Sequence, residues 1–544
     1  QIDISGSFTE TVNNSNELNN AIFCANVDAN TTDTIELGAN ISFMAAFEDH
    51  STKGRTATPA ITSPIVLDGK GHRLERYFQY GCQINGTDDA NKFRLLRTED
   101  NAGNGYLSLK KTVLANGCVD HPNPGSINAK GGAILKEGEL DITQVSIENN
   151  KAVTGGGIYI TDGHVEAIID STFAKNFASF DGGAVFNSTG NIVSIDNTTF
   201  SGNVSNLSNG GAIYKDGGVI GLISNNTFAS NTANNGSGGA VYNSGGSITA
   251  INNTLFHDNS ASAGQADCSI QFGSVTGSNN LSDQNSNACA SANIATNLTS
   301  NTVNSLADNG CATPMADGNC IKTHAITDTS EAKDNTITGT SAGQRGFNLT
   351  DTRDIGAFEH LSAADQCALN GIDITNGAFV TTVNSPYELN QAIICANVDK
   401  NFPVDTIELG SDIVLSSAYD NSIISGQTGT VAISSPVKLD GKGFKLSRDN
   451  SLACTLSFGS GVPSEFRLLG VSSNIRSNLS IENIILANGC VFGDGAGIFA
   501  QRSFSISNSI IENNRATGSG GAVYLRNGLD FSSIDIIDRT IFSK

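Results

Sequence analysis

The stretch Gly182-Gly183-Ala184-Val185-Phe186, then Ile192-Val193-Ser194-Ile195, then Thr199-Phe200-Ser201-Gly202-Asn203, closing on Gly210-Gly211-Ala212-Ile213-Tyr214, decides the fold. Two phrases recur in step on either side of it. Gly-Gly-small-aliphatic appears at Gly131-Gly132, Gly155-Gly156, Gly182-Gly183, Gly210-Gly211 and Gly238-Gly239. Aromatic-x-x-Asn appears at Phe173…Asn176, Phe200…Asn203, Phe228…Asn231 and Phe256…Asn259, with Ile147…Asn150 as a variant. Both phrases share a period of about 27 residues, the signature of a solenoid whose turns bury their apolar faces against one another.

Within a turn the apolar runs are three to five residues long, rich in β-branched members and separated by Gly, Asn, Asp and Ser. Such runs read as strands. Three per repeat of about 27 residues make the coil of a parallel β-helix, with equivalent residues stacked at roughly 4.8 Å. The spacing therefore predicts a column of Ile147, Phe173, Phe200, Phe228 and Phe256 and an amide ladder of Asn150, Asn176, Asn203, Asn231 and Asn259. Paired glycines suit a corner with positive φ or a close approach of the next coil.

A longer repeat is superimposed. Thr11-Val12-Asn13 through Asp33-Thr34-Ile35-Glu36-Leu37-Gly38 returns as Thr382-Val383-Asn384 through Asp405-Thr406-Ile407-Glu408-Leu409-Gly410. Leu67-Asp68-Gly69-Lys70-Gly71 returns at Leu439-Asp440-Gly441-Lys442-Gly443, and Leu114-Ala115-Asn116-Gly117-Cys118 at Leu486-Ala487-Asn488-Gly489-Cys490. After small deletions Glu148-Asn149-Asn150 matches Glu512-Asn513-Asn514. The expected organisation is a first unit over 1–365 and a second, incomplete unit over 366–544. The first comprises N-terminal coils with a cap (1–130), the two-phrase repeats (131–265) and a Cys-containing closing segment (266–365). Each unit opens with a short helix expected to cap the first coil. Ser385-Pro386-Tyr387-Glu388 reads as a capping box with Pro at the first helical position, and Asn14 and Glu17 take the same places in the first copy. Because the second copy stops in mid-coil, Lys544 is expected not to be the biological end, with further units or another chain covering the edge.

The chain has a net charge of −22 with only 15 % charged residues, and no Trp. No Lys/Arg run exists to hold nucleic acid or an anionic membrane, and no apolar run is long enough for a membrane span. The cysteines recur with the long repeat: Cys24, Cys82 and Cys118 return as Cys395, Cys454 and Cys490. Cys268, Cys289, Cys311 and Cys320 lie near the end of the first unit and Cys367 opens the second. A full period from Cys367 would hold an even number, which points to disulfides in an oxidising compartment. The expected pairs are Cys311–Cys320, Cys268–Cys289 and two of Cys24, Cys82 and Cys118. A metal site is the alternative, without any C-x-x-C to support it.

Motifs that carry chemistry are sparse, and no cofactor-binding pattern is present. Gly339-Thr340-Ser341-Ala342-Gly343 matches G-x-S-x-G but lacks the strand and helix that a nucleophile elbow requires. Leu67-Asp68-Gly69-Lys70-Gly71 reads as a tight turn rather than a phosphate loop. His121 and His324 stand near Cys118 and Cys320 without further ligands. Glycoside hydrolysis would need paired carboxylates on adjacent coils. Glu137, Glu139 and Asp141 cluster as solvated turn acids, whereas Asp170 is followed by Asn197, Asn225 and Asn253 in later coils, which suits a turn. Catalytic, cofactor and metal sites are therefore not expected.

The Gly-Gly-Ala-Ile and Phe-x-x-Asn phrases at this spacing resemble the passenger repeats of the polymorphic outer-membrane proteins. Tyr387-Glu388-Leu389-Asn390-Gln391-Ala392-Ile393 with Asp405-Thr406-Ile407 is similar to the CSLREA-type start of secreted bacterial β-helix proteins. Arg345-Gly346-Phe347 through Asp354-Ile355-Gly356-Ala357-Phe358-Glu359 is similar to the choice-of-anchor Q ending. The resemblance implies a right-handed parallel β-helix, secreted and displayed at or beyond a bacterial surface, with no catalytic residues. The expected function is an extracellular fibre or surface layer whose partners are further copies of the chain, end to end or lateral. A cell-surface adhesin for glycans or proteins is the second reading and a polysaccharide-active enzyme the third. An aromatic-lined exposed strand face would favour carbohydrate binding.

Overall fold

The computed structural model describes residues 6–27, 31–100, 104–283, 294–295, 298–299, 302–311, 314–316, 318–327, 329–334, 343–346, 353–360, 367, 371–374, 377–399, 403–419, 427–454, 456, 465–526 and 534–543. The chain divides into two compact units, Gln1–His360 and Leu361–Lys544. Each is a parallel β-solenoid, and the described residues contain two α-helices, one at the start of each unit.

One turn of the first unit shows why the sequence coils. Val185–Asn187 is followed by Asn191–Asp196, Thr199–Ser201 and Val204–Ser205. Each strand pairs in parallel with its equivalents one coil before and after, so that Ile192 meets Ile220, Phe200 meets Phe228 and Val185 meets Ile213. The turn thus has four strands rather than the three expected. The extra one is only two residues long, too short to leave an alternating pattern in the sequence. We call the resulting walls, in chain order, the glycine-pair wall, the long wall, the phenylalanine wall and the short wall.

The corners explain the recurrent polar residues. Asp170, Asn197, Asn225 and Asn253, between the long and phenylalanine walls, all have φ between 50° and 55°. Asn and Asp tolerate this left-handed conformation because their side chains bond locally. The two glycines of each pair do different work. The first has φ of 65–69° at Gly131, Gly155, Gly182, Gly210 and Gly238. The second has no room for a Cβ, which at Gly183 would press into the Gly211 carbonyl of the next coil.

Ile192, Ile195, Phe200, Ala184 and Val185 point inward, and the same positions of neighbouring coils build one continuous core. Burying each such side chain contributes about 1.5–3 kcal/mol. The helix Ser15–Ala25 places Leu18, Ala21, Ile22 and Ala25 on the first coil's core, capped by Asn14 accepting from Glu17 N at 3.1 Å. In the second unit Pro386–Val398 does the same with Leu389, Ala392, Ile393 and Ala396, capped by Ser385.

The closing segment of the first unit is not a further run of coils. Coiling continues through Asn280–Ser282, with Ile294–Ala295 as the last paired rung. Val303–Ala307 and Thr323–Ile326 then form an antiparallel pair. Lys322 and His324, with Gln344 and Ala357, lie against the outside of the phenylalanine wall as a strap.

Disulfides tie down the segments that leave the solenoid. Cys82–Cys118 and Cys454–Cys490 are equivalent, each closing a separation of 36 residues, and Cys311–Cys320 closes a loop of the strap. Cys367–Cys395 fixes the start of the second unit's helix region. Crosslinks of this span stabilise by about 2–4 kcal/mol each. Cys268 is disulfide-bonded, while Cys289 lies outside the described residues. Cys24 is free, a correction to its place among the disulfide candidates. Its counterpart in the long repeat, Cys395, pairs with Cys367, 28 residues earlier.

Candidate functional surface

The residues singled out from the periodicity come together as two internal columns. Phe173, Phe200, Phe228 and Phe256 are fully buried, with successive ring centroids 4.9, 4.7 and 5.4 Å apart and planes within 12° of parallel. Ile147 sits directly below Phe173 in the same register. Beside them Asn150, Asn176, Asn203, Asn231 and Asn259 form a directional ladder. Each Nδ2 donates to the next Oδ1 at 2.9–3.1 Å. Each Nδ2 from Asn176 onward also donates to the carbonyl of the column residue one coil back, Ile147 for Asn176 and Phe173 for Asn203, at 2.8 and 2.9 Å. Each Oδ1 from Asn176 to Asn259 accepts a second hydrogen, from the backbone N–H of the preceding ladder residue. Every polar atom of an interior rung is thus used within the fold, as burial requires.

The ladder ends on a carboxylate that sequence reading missed. Asn259 Nδ2 donates to Asp267 Oδ1 at 3.1 Å, and Ser282 Oγ donates to Asp267 Oδ2. Asp267 is 1 % exposed, and burial chiefly pushes its carboxyl up to about 6, with Asp283 raising it further and His257 opposing. The folded state therefore holds the proton more tightly than the unfolded chain. This contribution is fully present below about pH 4 and is lost as pH rises through about 6. Asp267→Asn keeps the acceptor and removes the charge. It is expected to raise stability by about 1–3 kcal/mol at pH 7.5 and to leave it unchanged at pH 4, read by chemical denaturation at the two pH values.

The carboxylates considered for catalysis are engaged elsewhere. Glu137 is not a solvated turn acid: it is ion-paired with Lys53 and lies 3.7 Å from Arg97. Asp141 Oδ2 accepts from Tyr106 Oη at 2.5 Å. Asp170 accepts from Asn197 Nδ2 at 3.1 Å within the corner column. Cys118 and Cys320 are in disulfides, and among the described residues no three His, Cys, Asp or Glu side chains group as a metal site. His324 instead bolts the strap to the wall, donating from Nδ1 to Asn304 O at 2.7 Å and accepting at Nε2 from Ser201 Oγ at 2.8 Å. Its burial lowers the imidazole to about 4, so it is neutral here. The Gly339-Thr340-Ser341-Ala342 part of the G-x-S-x-G match lies outside the described residues. No helix among the described residues is long and apolar enough to cross a membrane.

Three features of the outer surface remain. On the glycine-pair wall Tyr159, Phe186, Tyr214 and Tyr242 stack outside the core at 4.8, 4.9 and 5.3 Å. The first two are buried and the last two half-buried, so the column presents ring edges rather than open faces. A second apolar group is open to solvent where the first unit inserts segments between coils. Met44, Phe47, Phe78 and Tyr80 are 59, 53, 63 and 37 % exposed. Tyr80 Oη donates to Met44 O at 2.9 Å, and Tyr77 touches both Phe78 and Tyr80. The buried Arg76 anchors the insertion by donating to Asn91 O and Asn116 O at 3.0 and 2.8 Å. The third feature is the strapped wall. Thr172 Oγ1 donates to Lys322 O at 2.7 Å, Thr199 Oγ1 to Gln344 Oε1 at 2.6 Å, and Ala357 N donates to Thr227 Oγ1 at 3.0 Å. The signal for this was present in the sequence as the Thr that precedes Phe173, Phe200 and Phe228.

These coils define a parallel β-solenoid of stacked Gly-Gly and Phe-x-x-Asn turns. The family description for the Chlamydia polymorphic membrane protein repeat matches two segments, residues 197–220 and 508–526. The first spans Phe200, Asn203 and the Gly210-Gly211 pair, and the second spans Asn514 and the Gly520-Gly521 pair. No curated protein sequence and no solved structure matches the chain.

Proposed function

We propose that the chain is an extracellular, surface-displayed structural protein whose solenoid units assemble with further copies of themselves into a fibre or surface layer. The observation that carries this reading is the self-sufficiency of the columns. Rings and amides that could bind a ligand are consumed in fixing one coil on the next, and the product is stiffness. The disulfides suit an oxidising compartment outside the cell. The likeness to the polymorphic membrane protein repeat supports display at a surface, and the CSLREA-like opening and choice-of-anchor-Q-like ending belong to the same reading. The engagement of Glu137, Asp141 and Asp170 supports a non-catalytic role.

An adhesive role is the second reading, favoured by the exposed Met44, Phe47, Phe78 and Tyr80. Aromatic groups at this exposure suit an interaction site. Electron microscopy of the purified native material, with a cell-binding assay on the same sample, separates the two. Filaments or sheets are the expected result. Discrete particles that bind cells, with binding lost in Phe78→Ser, would move the function to adhesion. Discrete particles that degrade polysaccharide would overturn both.

A further inference from the structure

The strap is held to the phenylalanine wall mostly through uncharged groups. Thr172 Oγ1 donates to Lys322 O and accepts from Gln344 Nε2, both at 2.7 Å. Gly356 N donates to Asn253 O at 2.9 Å, and Ala357 N to Thr227 Oγ1 at 3.0 Å. Ile326, Ile355 and Phe358 share an apolar cluster with Leu255 and Leu281 of the wall. His324 stands among these contacts as a group whose charge changes on moderate acidification.

The site fits the neutral ring. Nδ1 donates to Asn304 O at 2.7 Å and Nε2 accepts from Ser201 Oγ at 2.8 Å, so one tautomer uses both nitrogens, and ring and hydroxyl are buried. On the wall His257 lies two coils beyond Ser201 in the same column, is held by Asp283 at 2.8 Å, and acts on the ring as a like charge. On the strap Asp308 accepts from Gly310 N and Cys320 N, both at 2.9 Å, and Arg353 pairs with Glu359 at 3.4 Å. Protonating the ring would place a charge in this buried site and turn Nε2 into a donor facing a hydroxyl that now donates to it. Burial, with a smaller push from His257, lowers the imidazole to about 4. The docked strap therefore binds the proton less well than a released one. Its hold is complete above about pH 6.5 and is lost as pH falls toward about 4, with the docking constant down roughly 30-fold at pH 5. Asp170 and Asp267 move the other way, each pushed up to about 6 chiefly by burial, so acid tightens the coils beneath while it loosens the strap.

We propose that the strap is an acid-released latch with His324 as its catch. Protonation of the ring frees the segment from the wall and uncovers the hydroxyl column of Thr172, Thr199 and Thr227, while the solenoid stays coiled. The face so exposed is a row of hydroxyls at the coil spacing, which the neutral form keeps covered. The inference does not depend on whether the solenoid is structural or adhesive.

Hydrogen exchange of the full chain at pH 7.5 and pH 5, corrected for intrinsic rates, tests this. The amides of Gly356 and Ala357, which bond the wall, should lose roughly 30-fold in protection at pH 5, while those of the Phe200 and Phe228 strands keep theirs. His324→Gln or His324→Asn, each offering a donor and an acceptor without titrating, should hold the protection of Gly356 and Ala357 constant between the two pH values. The chain has no Trp, so Phe358→Trp supplies a second reading of docking. Its emission should move to the red at lower urea at pH 5 than at pH 7.5, ahead of the circular dichroism change. Equal protection at the two pH values in the unsubstituted chain would overturn the proposal. So would a pH dependence that survives replacement of His324. Loss of strap and coil signals together at pH 5 would also overturn it, because the strap would then be part of one cooperative unit with the solenoid.

Discussion

Replacing Asn203 with alanine is expected to destabilise the first unit by about 3–5 kcal/mol, far more than loss of a short side chain would suggest. Asn203 Oδ1 is the acceptor for both Asn176 N and Asn176 Nδ2, each at 3.0 Å. Alanine leaves two buried donors with nothing to bond, and each orphaned group costs about 1–3 kcal/mol. Phe173 O and Asn231 Oδ1 each lose a donor as well. Urea denaturation measures the total. Hydrogen exchange adds location, because stability in a solenoid is a sum over neighbouring turns. The amide of Asn176 should lose protection while Leu140 and Ile142, earlier in the unit, keep theirs. Asn234→Ala is the control: Asn234 bonds Asn206 Oδ1 on the surface and should change stability by less than about 0.5 kcal/mol. A cost below about 1 kcal/mol for Asn203→Ala would mean that water replaces the amide and that the ladder is not a stabilising element.

Phe200→Ala is expected to cost a similar amount by a different route. The ring lies between Phe173 and Phe228, at 4.9 and 4.7 Å. Emptying the site leaves a cavity that parallel walls cannot close without breaking register, which puts the cost near 3–5 kcal/mol. Phe200→Leu should cost only about 1–1.5 kcal/mol, since Ile147 and Leu114 already occupy this column. A double-mutant cycle of Phe200→Ala with Phe228→Ala isolates the stacking itself, expected at about 0.5–1.5 kcal/mol of coupling. Zero coupling would show that the rings contribute burial alone.

The columns were legible because one coil position is one sequence position. Where the same residue type recurs at each turn, as with Phe200 or Asn203, the period names the contact. The corner beside them was harder to read because the residue type changes while the bond persists. Ser171, Thr198, Asn226, Thr254 and Asn280 occupy one position, and from Ser171 to Asn280, excepting Thr254, each offers a side-chain oxygen to a backbone N–H one coil back. Spacing cannot reveal a rung that accepts serine, threonine and asparagine alike. The two-residue strand at Val204–Ser205 was hidden by its shortness. The strap was hidden for another reason. Its contacts join Thr172 to Gln344 and Ser201 to His324, across more than a hundred residues and without any period. Low hydrophobicity in that segment reads as irregular loop, yet its polar side chains are the ones that meet the threonines of the wall. The aromatic insertion around Phe78 aligns with Asp449-Asn450-Ser451-Leu452 in the second unit, which carries no aromatic side chain, so the repeat says nothing of it.

The ladder also has a sense of direction. Along the column each side-chain amide gives one hydrogen to the acceptor of the next C-terminal coil, beginning at Asn150 and finishing at Asp267, a group that ends the relay by taking hydrogens. Such a chain can grow or shrink only by whole periods inserted between its two terminators, because any other edit would carry an Asn out of register and leave its neighbour's donor without an acceptor. Duplicating a single turn therefore needs no new terminator and no new core, which gives a lineage carrying this unit an inexpensive way to vary its reach.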